Sequence, residues 1–371
     1  MRILFAGGGT AGHINPAVAI ANYISEREDL EAAFVGTKEG LEAELIPRLG
    51  HELYIIKIHG FERSLNLQNF KNIFELPKSI IDSKKIIKSF KPDIVIGTGG
   101  YVAGPVLYAS AKAGIPTLIH ESNAYPGVTT RLLSKYVDTV ALGSKAAERY
   151  ITSAKNMIYT GNPVRPTILS TGAFEARRTL NLDERPFIVF FGGSLGARDF
   201  NKTVVDWISA QTQSERYQIM MGTGKFHQYD AVMERFKEKG VDISKYKSVT
   251  VSEYIYNMDV VMAAADLVVC RAGASTLSEL TALGKPSILV PSPYVTANHQ
   301  EHNARAVEEQ GGARVILESE FNKDVLDKTV NDLVRDKAKL AEMRRAAKAM
   351  GTTKATEDIY AEAKRLITSG R

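Results

Sequence analysis

Three times along this chain a short apolar run ends in a glycine-rich turn that opens a helical segment: GGGTAGH at residues 7–13, GTGGYVAGP at residues 97–105 and GGSLGAR at residues 192–198. Short, unbroken apolar runs are the mark of strands buried on both faces, and such strands belong to parallel sheets. A parallel neighbour can be reached only by a crossover, for which a helix is the usual vehicle, so this pattern predicts an α/β chain with doubly wound sheets. In each turn the backbone N–H groups can face an anion without a Cβ in the way, with the positive end of a helix behind them.

The alternation runs through most of the chain. In the first half, residues 3–6, 32–35, 53–56, 94–96, 117–119 and 139–141 read as strands, and residues 16–25, 41–49, 76–90, 105–113 and 128–133 as helices. Turn formers around residues 161–166 (GNPVRP) interrupt the pattern and place a hinge there. A second series of strands follows at residues 187–191, 218–221, 249–251, 267–270, 287–290 and 314–316. The expected organisation is therefore a first domain over residues 1–162, a second over 163–351, and a terminal helix over about 352–371. With 371 residues, 44% of them apolar, there is material for two cores.

Composition narrows the function classes. The one cysteine, Cys270, lies in an apolar strand, so a disulfide framework or cysteine metal cluster within one chain is excluded. The opening MRILFAGGGT breaks into glycine far short of a signal-peptide core, and no later run reaches the ~20 apolar residues of a membrane span. The expectation is a cytosolic protein whose membrane contact, if any, is peripheral. A net charge of +5 permits nucleic acid as a partner, but no arginine-rich arm or aromatic ladder supports it.

Residues 266–303 (DLVVCRAGASTLSELTALGKPSILVPSPYVTANHQEHN) carry the densest polar chemistry. Two apolar strands flank a helix over residues 275–283, and the small turn Arg271-Ala272-Gly273-Ala274-Ser275 suits a diphosphate at the helix N-terminus. Glu279 stands about one helical turn beyond Ser275, where a carboxylate can accept from the vicinal hydroxyls of a ribose. Asn298, His299, Gln300 and Asn303 offer amide and imidazole groups suited to sugar hydroxyls. The first turn also contains Gly7-x-Gly9-x-x-Gly12, the dinucleotide fingerprint. A dehydrogenase, however, needs an acidic residue closing the second strand, and that strand ends Gly36-Thr37-Lys38.

GGGTAGHINP, GTGGYVAGP, HESN at residues 120–123, GNPVR at residues 161–165, GGSLGAR and CRAGASTLSE with Gln300-x-x-Asn303 together resemble the motifs of the MurG family, in the same order and across nearly the whole chain. This resemblance implies a GT-B fold, two doubly wound Rossmann-like domains with a cleft between them, and a closing helix over about 352–371 that packs back on the first domain. It also implies an N-acetylglucosaminyltransferase that moves N-acetylglucosamine from UDP-N-acetylglucosamine to the C4 hydroxyl of lipid I, giving lipid II for peptidoglycan. Donor binding is carried by the resemblance onto Thr10, Ala11, Gly12, Asn123, Arg165, Ser194, Ile255, Ala274, Glu279 and Gln300, with Ile255 reading uracil through its backbone.

Sugar transfer from UDP needs the leaving diphosphate stabilised and the acceptor hydroxyl deprotonated. No Asp-x-Asp pair occurs, so the expectation is a metal-independent reaction in which loop N–H groups and Arg165 face the diphosphate, with no cofactor. His13, closing the first glycine turn, is the leading base, and Glu121 its rival, although Glu121 could equally hold its own loop. A single displacement without a protein nucleophile inverts the anomeric centre. A different glycosyltransferase, a UDP-sugar epimerase and a non-enzymatic nucleotide-sugar binder remain as alternatives. For a lipid-linked acceptor, residues 57–91, from Lys57 to Lys91, supply an anionic-membrane surface. They carry eight basic residues against Glu62, Glu75 and Asp82, interleaved with apolar side chains that include Phe70 and Phe74.

Overall fold

The computed structural model describes residues 1–59, 67–212, 214–225 and 227–369; the side chains of residues 11 and 67–74 also lie outside that description. The chain divides into two compact units, one of Met1–Pro163 with the segment from Thr352, the other Val164–Gly351.

Unit 1 runs β1 (Arg2–Gly7), α1 (Ala11–Ser25), β2 (Glu31–Gly36), α2 (Glu42–Arg48), β3 (Glu52–Ile55), α3 (Leu67–Phe90), β4 (Ile94–Gly99), α4 (Ala103–Lys112), β5 (Thr117–Glu121), α5 (Val128–Leu133), β6 (Thr139–Leu142) and β7 (Met157–Tyr159). Unit 2 continues with α6 (Ala173–Thr179), β8 (Phe187–Phe191), α7 (Arg198–Gln211), β9 (Gln218–Gly222), α8 (Gln228–Glu238), β10 (Val249–Ser252), α9 (Met258–Ala264), β11 (Leu267–Cys270), α10 (Ala274–Leu283), β12 (Ser287–Leu289), α11 (His299–Glu309), β13 (Ala313–Val315), α12 (Lys323–Arg335) and α13 (Lys337–Met350). The last helix, α14 (Ala355–Ser369), belongs to unit 1.

Every strand pairing is parallel. The sheet orders are β3-β2-β1-β4-β5-β6-β7 and β10-β9-β8-β11-β12-β13. Both are the doubly wound order, in which the winding reverses between the first and fourth strands of a sheet, and ligands bind at the carboxyl ends of strands at that reversal. In unit 1 the reversal lies between β1 and β4, whose following turns are GGGTAGH and GTGGYVAGP. In unit 2 it lies between β8 and β11, followed by GGSLGAR and RAGAS. The fold thus delivers the glycine-rich turns to the two places where a doubly wound sheet takes a ligand.

The pleat explains the sequence pattern. Ile3 and Phe5 of β1 enter one core with Ile14, Ile20 and Ile24 of α1, while Leu4 and Ala6 enter another with residues of α3 and α4. Helix α14 completes the first core through Ile359, Ala363 and Leu366; burying the first of these alone contributes ~2 kcal/mol. Its Glu362 accepts from Asn156 Nδ2 at 3.2 Å and from Thr139, tying the helix to β6. The neighbouring Arg365 guanidinium, with bonds of 2.7 Å, holds that carboxyl below its ordinary pKa.

Three expectations about elements need correction. Helices expected to begin at residues 16 and 76 begin instead at Ala11 and Leu67, with Pro16 and Pro77 inside them. Proline is a start signal in sequence, but extended Thr10 (φ −139°, ψ 155°) starts the first helix, its carbonyl accepting from the N–H of His13 and Ile14. The third concerns β7, a partly exposed edge strand whose apolar run, Met157-Ile158-Tyr159, is only three residues long and lies outside the strands expected from sequence.

Candidate active site

In unit 1 His13 lies in the first turn of α1, half-buried beside the turn that follows β4. Gly99 and Gly100 have φ of 108° and 80°, and a Cβ at Gly99 would stand 2.7 Å from His13 Cδ2, so this glycine pair is the bed on which the imidazole lies. Thr98 Oγ1 donates to the His13 carbonyl at 2.6 Å, which joins the two switch-point turns. His13 Nδ1 is 3.1 Å from the Gly8 carbonyl and 3.4 Å from Thr10 Oγ1. A carbonyl oxygen can only accept, so Nδ1 donates to it, and in the neutral ring this assigns the lone pair to Nε2, the tautomer a base requires.

Glu121, the rival base, closes β5 and is buried. Its Oε1 accepts from the Asn123 N–H (3.0 Å) and Asn123 Nδ2 (3.1 Å), and its Oε2 from the Gly127 N–H (2.9 Å) and Thr130 Oγ1 (2.6 Å). Four donors fill the carboxylate, which makes it the organiser of the loop that carries Asn123. Thr10 and Gly12 are exposed at the start of α1, where Ala11 is the first helical residue.

One residue of this region was missed in the sequence. Glu42, the first residue of α2, is 1% exposed and folds back to the end of β2. It accepts from the N–H of Gly9, the N–H of Thr37 and Thr37 Oγ1, each at 2.9 Å. The acidic residue absent from the end of the second strand is therefore supplied six positions after Gly36. Its charge serves the protein's own turn rather than a ribose, a second physical argument against the dehydrogenase.

In unit 2 the turn after β8 places Ser194 and Leu195 in solvent at the head of α7, with the Ser194 carbonyl accepting from Lys225 N–H at 3.1 Å. The turn after β11 ends in Gly273, which caps α10 in an extended conformation (φ −68°, ψ 138°). Ala274 is the first residue of α10, whose first turn has neither an acidic side chain nor a side-chain cap, so its N–H groups point outward unclaimed by either. Arg271 faces the other way: buried, it pairs with Glu318 and donates to the Val290 carbonyl at 3.1 Å.

Arg165 and Glu279, far apart in sequence, form a bidentate pair, Nε to Oε1 at 2.7 Å and Nη2 to Oε2 at 3.1 Å. The guanidinium is half-exposed while the carboxylate is largely covered. The bond raises the arginine's pKa and keeps it charged. Gln300, on α11, uses Oε1 to accept from Ser292 N–H at 3.0 Å and keeps its NH2 group for donation. Asn303 is buried, its Nδ2 3.3 Å from the Ala272 carbonyl, so it steadies the turn rather than reaching for a sugar. Ile255, in the loop after β10, packs its side chain towards Gly222 on β9, two strands away from β11.

Two family models match the chain: the glycosyltransferase family 28 N-terminal domain over residues 3–142 and its C-terminal domain over residues 187–359. The chain is 49% identical to the UDP-N-acetylglucosamine–N-acetylmuramyl-(pentapeptide) pyrophosphoryl-undecaprenol N-acetylglucosamine transferase of Acetivibrio thermocellus, covering 97% of this chain and 96% of that one. It is 43% identical to the first such transferase of Bacillus cereus, covering 99% and 100%. Among solved structures it is similar to MurG of Acinetobacter baumannii, with a TM-score of 0.81 and 26% identity over 98% of this chain and 99% of that one. A UDP-GlcNAc 2-epimerase from Neisseria meningitidis, at 13% identity and a TM-score of 0.65, shares the fold alone.

Proposed function

Because the chain belongs to the MurG family, within glycosyltransferase family 28, we propose that it moves N-acetylglucosamine from UDP-N-acetylglucosamine to the C4 hydroxyl of the N-acetylmuramoyl group of lipid I, with inversion, releasing lipid II and UDP. Its two units have the doubly wound architecture of the GT-B fold. The observation that carries the donor half of this reading is the pairing of Arg165 with Glu279 of α10, the helix with the open N-terminus.

A carboxylate has about four lone-pair positions and a guanidinium five N–H donors, so the pair leaves capacity on both partners. Arg165 and the first-turn N–H groups of α10 face the diphosphate, taking up the charge that develops as UDP departs. Glu279 accepts from the ribose hydroxyls, Gln300 donates to the sugar, and Ser194 and Ala274 line the diphosphate turns. Ile255 offers backbone groups to the uracil. In unit 1 His13 Nε2 removes the acceptor proton, and the family resemblance assigns donor binding to Thr10, Ala11, Gly12 and Asn123.

The acceptor is lipid-linked, and among the described residues no helix is long and apolar enough to cross a membrane. In the proposed reading the enzyme works as a peripheral protein on the cytoplasmic face of the membrane, where its lipid-linked acceptor is reached. Docking runs through α3, where Leu76 and Ile81 are exposed beside Lys78, Lys84, Lys85 and Lys88. The earlier candidates Phe70 and Phe74 fall outside the described side chains.

Glu279→Ala tests the donor half. It raises the donor KM and lowers kcat/KM by ~2–3 kcal/mol, the loss of a charge-assisted bond. Wild type discriminates against a 2′,3′-dideoxyuridine donor, and the variant loses that discrimination. A variant that still prefers the natural ribose by the wild-type margin overturns the assignment.

A further inference from the structure

Two hydrogen bonds of unit 1 meet at opposite ends of one peptide group. The amide linking Gly8 to Gly9 gives its N–H to Glu42 Oε2 at 2.9 Å, and its C=O receives His13 Nδ1 at 3.1 Å. We propose that Glu42 is a positioning residue for His13, acting through the Gly8–Gly9 peptide to hold the imidazole in its Nδ1–H tautomer with Nε2 free for the acceptor.

Polarisation supplies the physics. A carboxylate at the N–H end of a peptide draws electron density toward the carbonyl oxygen, and hydrogen bonds in series strengthen one another. The Gly8 carbonyl becomes a better acceptor, the Nδ1–H bond tightens, and the Nε2 lone pair becomes more available. The logic is that of a buried carboxylate behind a histidine in a catalytic triad, with one peptide group interposed.

The surroundings of Glu42 show that a charge is accommodated there. A Cβ at Gly8, Gly36 or Gly40 would lie 2.4, 2.3 or 2.2 Å from an atom of the Glu42 side chain, so glycine at all three positions makes room for it. A buried carboxylate is costly unless hydrogen-bonded, and three donors, Gly9 N–H, Thr37 N–H and Thr37 Oγ1, meet it. Of these, only Gly9 N–H leads on to a catalytic candidate.

This proposal rests on His13 as the base, but its first readout does not. With 15N-labelled histidine in the full-length protein, the nitrogen shifts of His13 at a pH where the ring is neutral report the Nδ1–H tautomer in wild type. In Glu42→Gln, which keeps the size and removes the charge, the Nε2–H tautomer gains population. Correspondingly, kcat falls about 10-fold with both KM values within about twofold, measured well below the melting temperature. Thr37→Val removes a hydroxyl bond to Glu42 but not its charge or the Gly9 link, and keeps kcat within about twofold. A wild-type Nε2–H tautomer, which needs no variant, overturns the proposal. So does an unchanged tautomer in Glu42→Gln, or a Thr37→Val loss equal to that of Glu42→Gln, which would make the site merely structural. Loss of the base reading through an active His13→Ala would leave the tautomer result standing.

Discussion

His13 and Glu121, the two candidate bases, have opposite surroundings. The imidazole is tied at one nitrogen and open at the other, whereas both oxygens of Glu121 are filled by four donors. His13→Ala should therefore fold, bind donor, and lose about 10²–10⁴ in kcat. Glu121→Gln instead turns an NH2 toward N–H or O–H donors, which costs about 1–3 kcal/mol and lowers the melting temperature by several degrees. A His13→Ala enzyme that keeps its kcat, or a Glu121→Gln protein with unchanged melting and a collapsed kcat, would exchange the two roles. At this scale the sequence made His13, Arg165 and Glu279 visible because each sits in or beside a glycine turn or its helix. That Arg165 and Glu279 bond to each other was not legible, and neither was Glu42, since both depend on contacts made only once the strands are side by side.

Strands were the most legible elements. Strands buried on both faces must be apolar throughout, and residues 187–191 and 267–270 coincide with β8 and β11. Helix starts were less so, because Pro16 and Pro77 sit inside helices that the chain begins earlier. The edge strand β7, partly exposed, offers an apolar run of only three residues. Helix α3 carries the membrane prediction. Ile87 and Phe90 turn into the core, while Leu76 and Ile81 stay in solvent among lysines. Near this face a groove of about 630 Å³ is lined by Lys84, Lys88, Lys91 and Lys112 with Ile87 and Ile115. Each basic residue near an anionic leaflet contributes ~1 kcal/mol, screened beyond about 8–10 Å by salt. The protein should bind vesicles containing phosphatidylglycerol or cardiolipin, less so at high salt, and not zwitterionic ones. Replacing Leu76 and Ile81 with serine should weaken that binding and activity on lipid-embedded acceptor, and spare a water-soluble acceptor. Binding indifferent to lipid charge, or equal loss on both acceptors, would place the docking face elsewhere.

At the scale of the whole molecule, one architecture is used twice, and, we propose, for different chemistry. Each unit has its own switch point, followed in unit 1 by two glycine-rich turns and in unit 2 by GGSLGAR and the single-glycine turn RAGAS. In unit 1 the turn N–H of Gly9 already holds the protein's own carboxylate, which favours the proposed use of that turn to position a base. In unit 2 the α10 N-terminus carries no such internal anion, and a half-exposed arginine stands beside Glu279. The proposed placement of the donor diphosphate on unit 2 and of the acceptor hydroxyl near His13 rests on that asymmetry. The most direct measurement is UDP release from UDP-N-acetylglucosamine with and without a lipid I analogue. The account predicts turnover that requires the acceptor and yields a disaccharide whose new linkage is β at C4. Release of UDP at the same rate without acceptor, or formation of an epimerised UDP-sugar in its place, would contradict it.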